Sequence, residues 1–368
     1  MQRREGEIRI PSGCAIAGIM NRKKKLIPGT EIIKSIALMH ERSNGLGGGF
    51  AAYGIYPEYR DLYAMHMFYD NEKAKDDVEC FFNEYFDIES AGRIPTRKVR
   101  AITEAPVIRR YFMTPRKDRM LESGLGEDEE DEFVVRCVMR INSCFKGAFV
   151  VSSGKNMGVF KAVGYPGDVG EFYMLDTYKA YIWTAHGRFP TNTPGWWGGA
   201  HPFALLDLSV VHNGEISSYD TNRRWLEMFG YRCNLQTDTE AIAYMFDLLL
   251  RRYKLPMNAA IAAIAPPFWA EIEMMGKEKQ ELIKAIRIVY SSALVNGPFS
   301  IIVGCRDGMI ALNDRIKLRP LVAATKGDFV YVASEEAAVR VVCPSLDRIW
   351  APRGGEPVVA LLGEVERT

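Results

Sequence analysis

The chain of 368 residues has little of what marks several large protein classes. Its formal net charge is only +1, so it lacks the one-signed field that draws a protein to nucleic acid or anionic lipid. Small-molecule chemistry or a protein partner is the better default. No apolar run approaches the length of a membrane span. Residues 1–13 carry Arg3, Arg4, Arg9, Glu5 and Glu7 without an apolar core and do not read as a secretory signal. Seven cysteines, an odd number without a C-x-x-C pair, argue against a disulfide framework or a zinc site and for a reducing cytoplasm. Gly45, Gly47 and Gly49 lack the third glycine of a dinucleotide fingerprint and the lysine of a phosphate loop. Neither a flavin phosphate motif nor iron–sulfur cysteine spacing occurs. The basic cluster Lys23 to Lys25 reads as a solvated turn.

What is there is concentrated between Thr184 and Glu240, where TAHGRFPTNT, VVHNGEI and QTDTE follow one another. Arg188 offers a guanidinium that grips an α-carboxylate through two parallel hydrogen bonds, and Asp238 offers a carboxylate for an α-ammonium. Asn213 and Gly214 follow an apolar run, where a side-chain amide and a backbone N–H can face the oxyanion that forms when an amide carbon is attacked. With Cys14 as nucleophile, the set suits acyl transfer from an amino acid bearing a side-chain amide. The five histidines show no Cys–His–Asn signature, so the thiol needs another base. Each residue has a plainer reading. Cys14 alone reads as a buried small hydrophobe, Asp238 alone as a helix cap, and Trp196 and Trp197 as packing residues rather than a cover over a ligand.

Strands are expected at 15–20, 147–152, 180–185, 205–211, 299–303, 309–312, 321–324 and 329–333, and helices at 31–39, 222–229 and 239–250. A long helix is expected over about 270–294, with Ile272, Met275, Leu282, Ile286 and Val289 on its buried face. Roughly 60–145 reads as an inserted segment, and its acidic run Glu127 to Glu132 as a solvated loop. Two sheets flanked by helices is the economical assembly.

The motifs resemble those of the class II glutamine amidotransferases of the N-terminal-nucleophile hydrolase superfamily, and most closely the amidotransferase part of glutamate synthase. HGRFPTNT at 186–193 is similar to the family's H-x-R-x-x-T motif, HNGEI at 212–216 to its Asn-Gly motif, and QTDTE at 236–240 to its Asp segment. NGPFSIIVG, DRIKLRPL and ASE further on are similar to the domain's closing elements.

The resemblance implies an α+β fold, the αββα four-layer sandwich. It also implies that Cys14 acts with its own α-amine as base, after a cut between Gly13 and Cys14 removes 1–13 as a propeptide. It places Thr191 beside Arg188 on the carboxylate, and makes Arg42 either an orienting residue for Cys14 or a surface arginine. No metal or cofactor is implied for this chain. FMN and iron–sulfur centres are expected only on a partner, a glutamate synthase-type subunit that receives ammonia released from L-glutamine. A non-catalytic regulatory or scaffold subunit is the competing class, and an N-methylglutamate-forming system the competing acceptor.

Overall fold

The computed structural model describes residues 13–190 and 195–363. Thr191 and the expected propeptide up to residue 12 lie outside the described residues.

Two antiparallel sheets form the centre. The large sheet runs, edge to edge, β17 (Arg348–Trp350), β15 (Val322–Lys326), β16 (Phe329–Ala333), β1 (Ala15–Asn21), β10 (Ile182–Gly187), β3 (Gly48–Tyr53) and β8 (Met157–Ala162). The small sheet runs β11 (Phe203–Leu205), β12 (Leu208–Gly214), β13 (Phe299–Cys305), β14 (Gly308–Asn313) and β18 (Val358–Leu361). Strands β1, β3 and β10 are buried throughout, because one face meets helices and the other meets the small sheet. Side chains of the small sheet alternate accordingly. Val211, Ile302 and Ala311 join the core between the sheets, whereas Val210, Ile301 and Ile310 pack with the helical layer. At Gly18 the sheets approach so closely that a Cβ would lie 2.7 Å from Met309 Sδ.

Helices α1 (Gly29–Ala37), α5 (Pro166–Phe172) and α11 (Glu336–Arg340) cover the outer face of the large sheet; α7 (Asp238–Asp247) covers the small one, with α6 (Tyr219–Glu227) packed on α7 and α8 (Met257–Ile264) on the turn that follows it. The result is the expected αββα sandwich. A short ribbon of β2 (Ile27–Pro28) with β9 (Lys179–Ala180) leads into α1. Among the described residues no helix is long and apolar enough to cross a membrane.

The segment read as inserted carries a sheet of its own, β5 (Phe86–Arg93), β6 (Val107–Pro115), β4 (Tyr63–Tyr69) and β7 (Ala148–Ser152), backed by α2 (Glu72–Tyr85), α3 (Lys117–Glu122) and α4 (Glu130–Cys144). The acidic run is not a solvated loop throughout. Glu130, Asp131 and Glu132 form the first turn of α4, where acids complement the exposed amides of a helix start. Glu132 accepts hydrogen bonds from Arg251 at 3.0 Å, Arg252 at 2.8 Å and Arg136 at 3.1 Å, and so fastens α4 to the turn that follows α7.

Burial pushes the Glu132 carboxyl up, but the three arginines outweigh it and hold it below the ordinary value. The folded chain therefore keeps this proton off more readily than the unfolded one. The stability it adds is complete above the ordinary carboxylate range and is lost as pH falls through the folded value. Glu132→Gln should lower the unfolding free energy by about 1–2 kcal/mol at neutral pH, with the gap to the parent closing in acid; urea titrations at two pH values check it.

The long helix expected over 270–294 is broken. Gly276 separates α9 (Trp269–Glu273) from α10 (Lys277–Val289), and the break resets the helical phase. Ile283 and Ile286 are buried in α10, whereas Leu282 and Val289 are exposed.

Candidate active site

Cys14 immediately precedes β1 and Arg188 immediately follows β10. Because Ala15 pairs with Gly187, the two residues emerge side by side at one end of the large sheet. The Phe189 amide donates to Cys14 Sγ at 3.4 Å. Arg188 is 6% exposed, and its backbone is pinned on both sides: its N–H donates to Gly47 O at 2.8 Å, and its carbonyl accepts from Ser43 Oγ at 3.0 Å. A Cβ on Gly47 would sit 3.0 Å from Arg188 Cδ, so a larger residue there would press on the arginine side chain.

Strand β12 arrives from the opposite sheet and ends in Asn213 and Gly214. A Cβ on Gly214 would stand 2.0 Å from Pro298 O, so only glycine fits where this backbone meets the cavity. The Asn213 side chain is buried, and neither its Oδ1 nor its Nδ2 has a hydrogen-bond partner among the described residues.

Asp238 is the first residue of α7, and the cap is Thr237, whose Oγ1 accepts from Thr239 N at 3.1 Å. The plain reading of Asp238 as the cap is thereby replaced. Its Oδ2 accepts from Ile216 N at 3.0 Å, its Oδ1 from the Thr239 hydroxyl at 3.2 Å, and His212 Nδ1 stands 3.5 Å away. Burial pushes this carboxyl up, but His212 and these hydrogen bonds together hold it below the ordinary carboxylate range. Asp238 is thus a fixed anion at neutral pH.

Cys14, Arg188, Gly214 and Asp238 line one cavity of about 240 Å³, with Phe189, Ile216, Tyr219 and Gln236 among its other walls. The volume lies below the range of drug-sized pockets and suits a ligand of amino-acid size. Arg188 and Asp238 give it a cationic and an anionic side, the complement of a zwitterion. Gln236 lines it with φ near 55°, a conformation that side-chain-bearing residues seldom adopt, in the turn that aims Asp238 inward.

Burial raises the Cys14 thiol above its usual value, although the Phe189 amide, Arg188 and Arg319 pull it back. The sulfur is therefore a thiol at neutral pH and needs a base. Two of the nearby histidines, His186 and His201, do not offer one. His186 stacks on His201 at 4.0 Å, and burial depresses His186 to about 3 and His201 well below the ordinary imidazole value. They brace the site instead: His186 Nε2 lies 2.9 Å from His212 O, and His201 Nε2 lies 2.7 Å from Thr239 Oγ1.

Arg42 reaches Cys14 directly. Its Nε donates to the Cys14 carbonyl at 3.2 Å, and its Nη1 pairs with Glu335 at 3.0 Å. Should this contact aim the sulfur, Arg42→Ala will lower kcat about 10²-fold with little change in KM, and Arg42→Lys will recover part of it; steady-state kinetics with glutamine checks both. Trp197 packs on Phe68 and Phe172, and Trp196 on Phe149, so both tryptophans follow the packing reading. Among the described residues no group of three His, Cys, Asp or Glu side chains could hold a metal ion.

Sequence reasoning missed the Phe189 and Ile216 amides, which carry no side-chain signature. It also missed the support that His201, His212 and Thr239 give to Asp238. The only available signal was that HNGEI and QTDTE both place polar residues beside apolar runs.

The family model described as glutamine amidotransferases class-II matches residues 93–347, more than half of the chain. An uncharacterized protein of Archaeoglobus fulgidus is 49% identical over 96% of this chain and 93% of its own length. A putative glutamine amidotransferase of Methanothermobacter thermautotrophicus is 28% identical over 60% of this chain and 70% of its own. The glutamate synthase [NADPH] large chain of Bacillus subtilis is 29% identical over 50% of this chain, which spans only 13% of that larger protein. With more than half of its length matched by the family model, the chain belongs to the class II glutamine amidotransferases.

Proposed function

We propose that this chain hydrolyses L-glutamine to L-glutamate and ammonia through a thioester on Cys14. The reading is carried by the convergence of a thiol, a guanidinium, a strand-end glycine and a carboxylate on one cavity of amino-acid size. Glutamine binds with its α-carboxylate on Arg188, supported by Thr191, and its α-ammonium on Asp238. Its side-chain amide then faces Cys14. Attack by sulfur gives a tetrahedral oxyanion held by the Asn213 side chain and the Gly214 backbone N–H. The carbon–nitrogen bond breaks, and the departing nitrogen takes a proton and leaves as ammonia. Water then cleaves the thioester, releasing glutamate.

The base is the α-amine of Cys14, which requires the bond between Gly13 and Cys14 to be cut. A terminal amine titrates near 8, close enough to neutrality to accept the proton of a thiol that burial keeps protonated. Intact-mass measurement tests this: active protein should begin at Cys14, and an active chain still carrying Gly13 would remove the proposed base.

The acceptor is a glutamate synthase-type subunit bearing FMN and iron–sulfur centres and acting on 2-oxoglutarate. The likeness to a glutamate synthase large chain and the TNT triplet at 191–193 support this choice. Co-purification with a flavoprotein that forms glutamate from 2-oxoglutarate and glutamine checks it; a partner with another acceptor would overturn it.

A further inference from the structure

Three polar side chains line up between the two central sheets. Asn213 of β12 stands opposite Ser300 of β13, and Ser300 opposite Asn313 of β14. Directly opposed residues share a face of the sheet. Here it is the inner face, since Val211, Ile302 and Ala311, two positions along the same strands, belong to the core between the sheets.

The row also lies at the Cys14 end. Tyr53, which pairs with Ile182 at the start of β10, reaches Ser209 and Gly304 at the far ends of β12 and β13. The finish of β10, beside Cys14, therefore lies toward Asn213 and Ser300.

Asn213, Ser300 and Asn313 are 1%, 0% and 0% exposed. Among the described residues neither amide has a hydrogen-bond partner at either its oxygen or its nitrogen. The Ser300 hydroxyl donates to Pro320 O at a long 3.4 Å. Arg319, next in the chain to Pro320, has a buried Nε likewise without a partner among the described residues. A buried polar group left without a partner is destabilising. Native folds satisfy such groups with ordered water where the protein supplies none, and a row of two amides and a hydroxyl offers the two to four contacts that a water needs.

We propose that Asn213, Ser300 and Asn313 hold a file of water between the sheets that ends at Cys14 and supplies the molecule that cleaves the thioester. This rests on the glutamine hydrolysis proposed above. The water oxygen bonds to the thioester carbonyl carbon while one of its protons passes to the Cys14 amine. The carbon–sulfur bond then breaks, the sulfur takes that proton back, and glutamate departs with the water oxygen in its new carboxylate. Ser300 and Asn313 are positioning residues that act through the water.

Two measurements decide it, both on the whole chain. A crystal structure at a resolution that shows ordered water should place water in contact with both Asn213 and Asn313; amides paired with other groups and no water between them would overturn the proposal whatever the activity. In the second, Asn313→Leu, which removes both polar atoms at similar volume, is assayed with glutamine in the presence and absence of hydroxylamine. Hydrolysis should slow about tenfold, acyl-enzyme should accumulate by intact mass, and hydroxylamine should capture a larger share of the acyl group. A merely structural change would not move that partition. Unchanged hydrolysis and partition would sink the water file, and Ser300→Ala gives the same readout if the leucine variant does not fold. A parent protein that never forms acyl-enzyme would refute the hydrolysis itself, and the crystallographic arm then decides the water file alone.

Discussion

Cys14→Ala protein should release no measurable glutamate from glutamine, a loss of at least about 10⁴-fold, while melting at the temperature of the parent. The size follows from the role: without a sulfur no thioester forms, and the remaining groups can only orient water. The unchanged stability follows from the surroundings. Among the described residues the sulfur receives one amide hydrogen bond, from Phe189 at 3.4 Å, and reaches the Phe189 carbonyl at a long 4.0 Å, and the neighbouring β1 is held on both sides by β10 and β16. Cys14→Ser separates nucleophile from scaffold further, because a hydroxyl keeps a hydrogen-bonding atom in place but is a poorer nucleophile. Glutaminase assay and thermal melts on the same preparations read both halves. Normal turnover in Cys14→Ala would end the assignment.

The second large effect belongs to Arg188. Arg188→Ala should raise KM for glutamine about 10²- to 10³-fold, corresponding to about 3–4 kcal/mol, the loss that follows when a charge-paired group is left facing a site without its partner. Arg188→Lys should fall between, because an ammonium keeps the charge but not the planar fork that matches a carboxylate. Asp238→Asn is the companion at the other end of the ligand and should act on KM in the same direction. An increase in kcat loss alone, with KM unmoved, would show that the guanidinium does not meet the ground-state carboxylate.

These residues were legible because charged and amide side chains stood at the ends of apolar runs, a placement that reads as strand ends facing a ligand. The register of Ala15 with Gly187, which sets Cys14 beside Arg188, was not legible, since the two partners are separated by almost half of the chain. The same separation hid Glu132. Read locally it was one acid in a run of six, but two of its arginine partners lie at 251 and 252, far along the chain. Periodicity misplaced Leu282 and Val289 for a different reason: Gly276 starts a new helix whose buried side is set by Ile283 and Ile286, and Leu282 and Val289 fall beside that side rather than on it. The strand Phe329–Ala333 was read with its observed bounds because its apolar run is closed by clear turn residues.

Strands β4 and β7 lie against β8, and β7 also against β11, which are the outermost strands of the large and small sheets on the same side of the sandwich. Unpaired strand margins are templates on which another chain can add itself. The sheet of β4 to β7 thus packs over two adjacent margins at once and leaves neither bare to another chain.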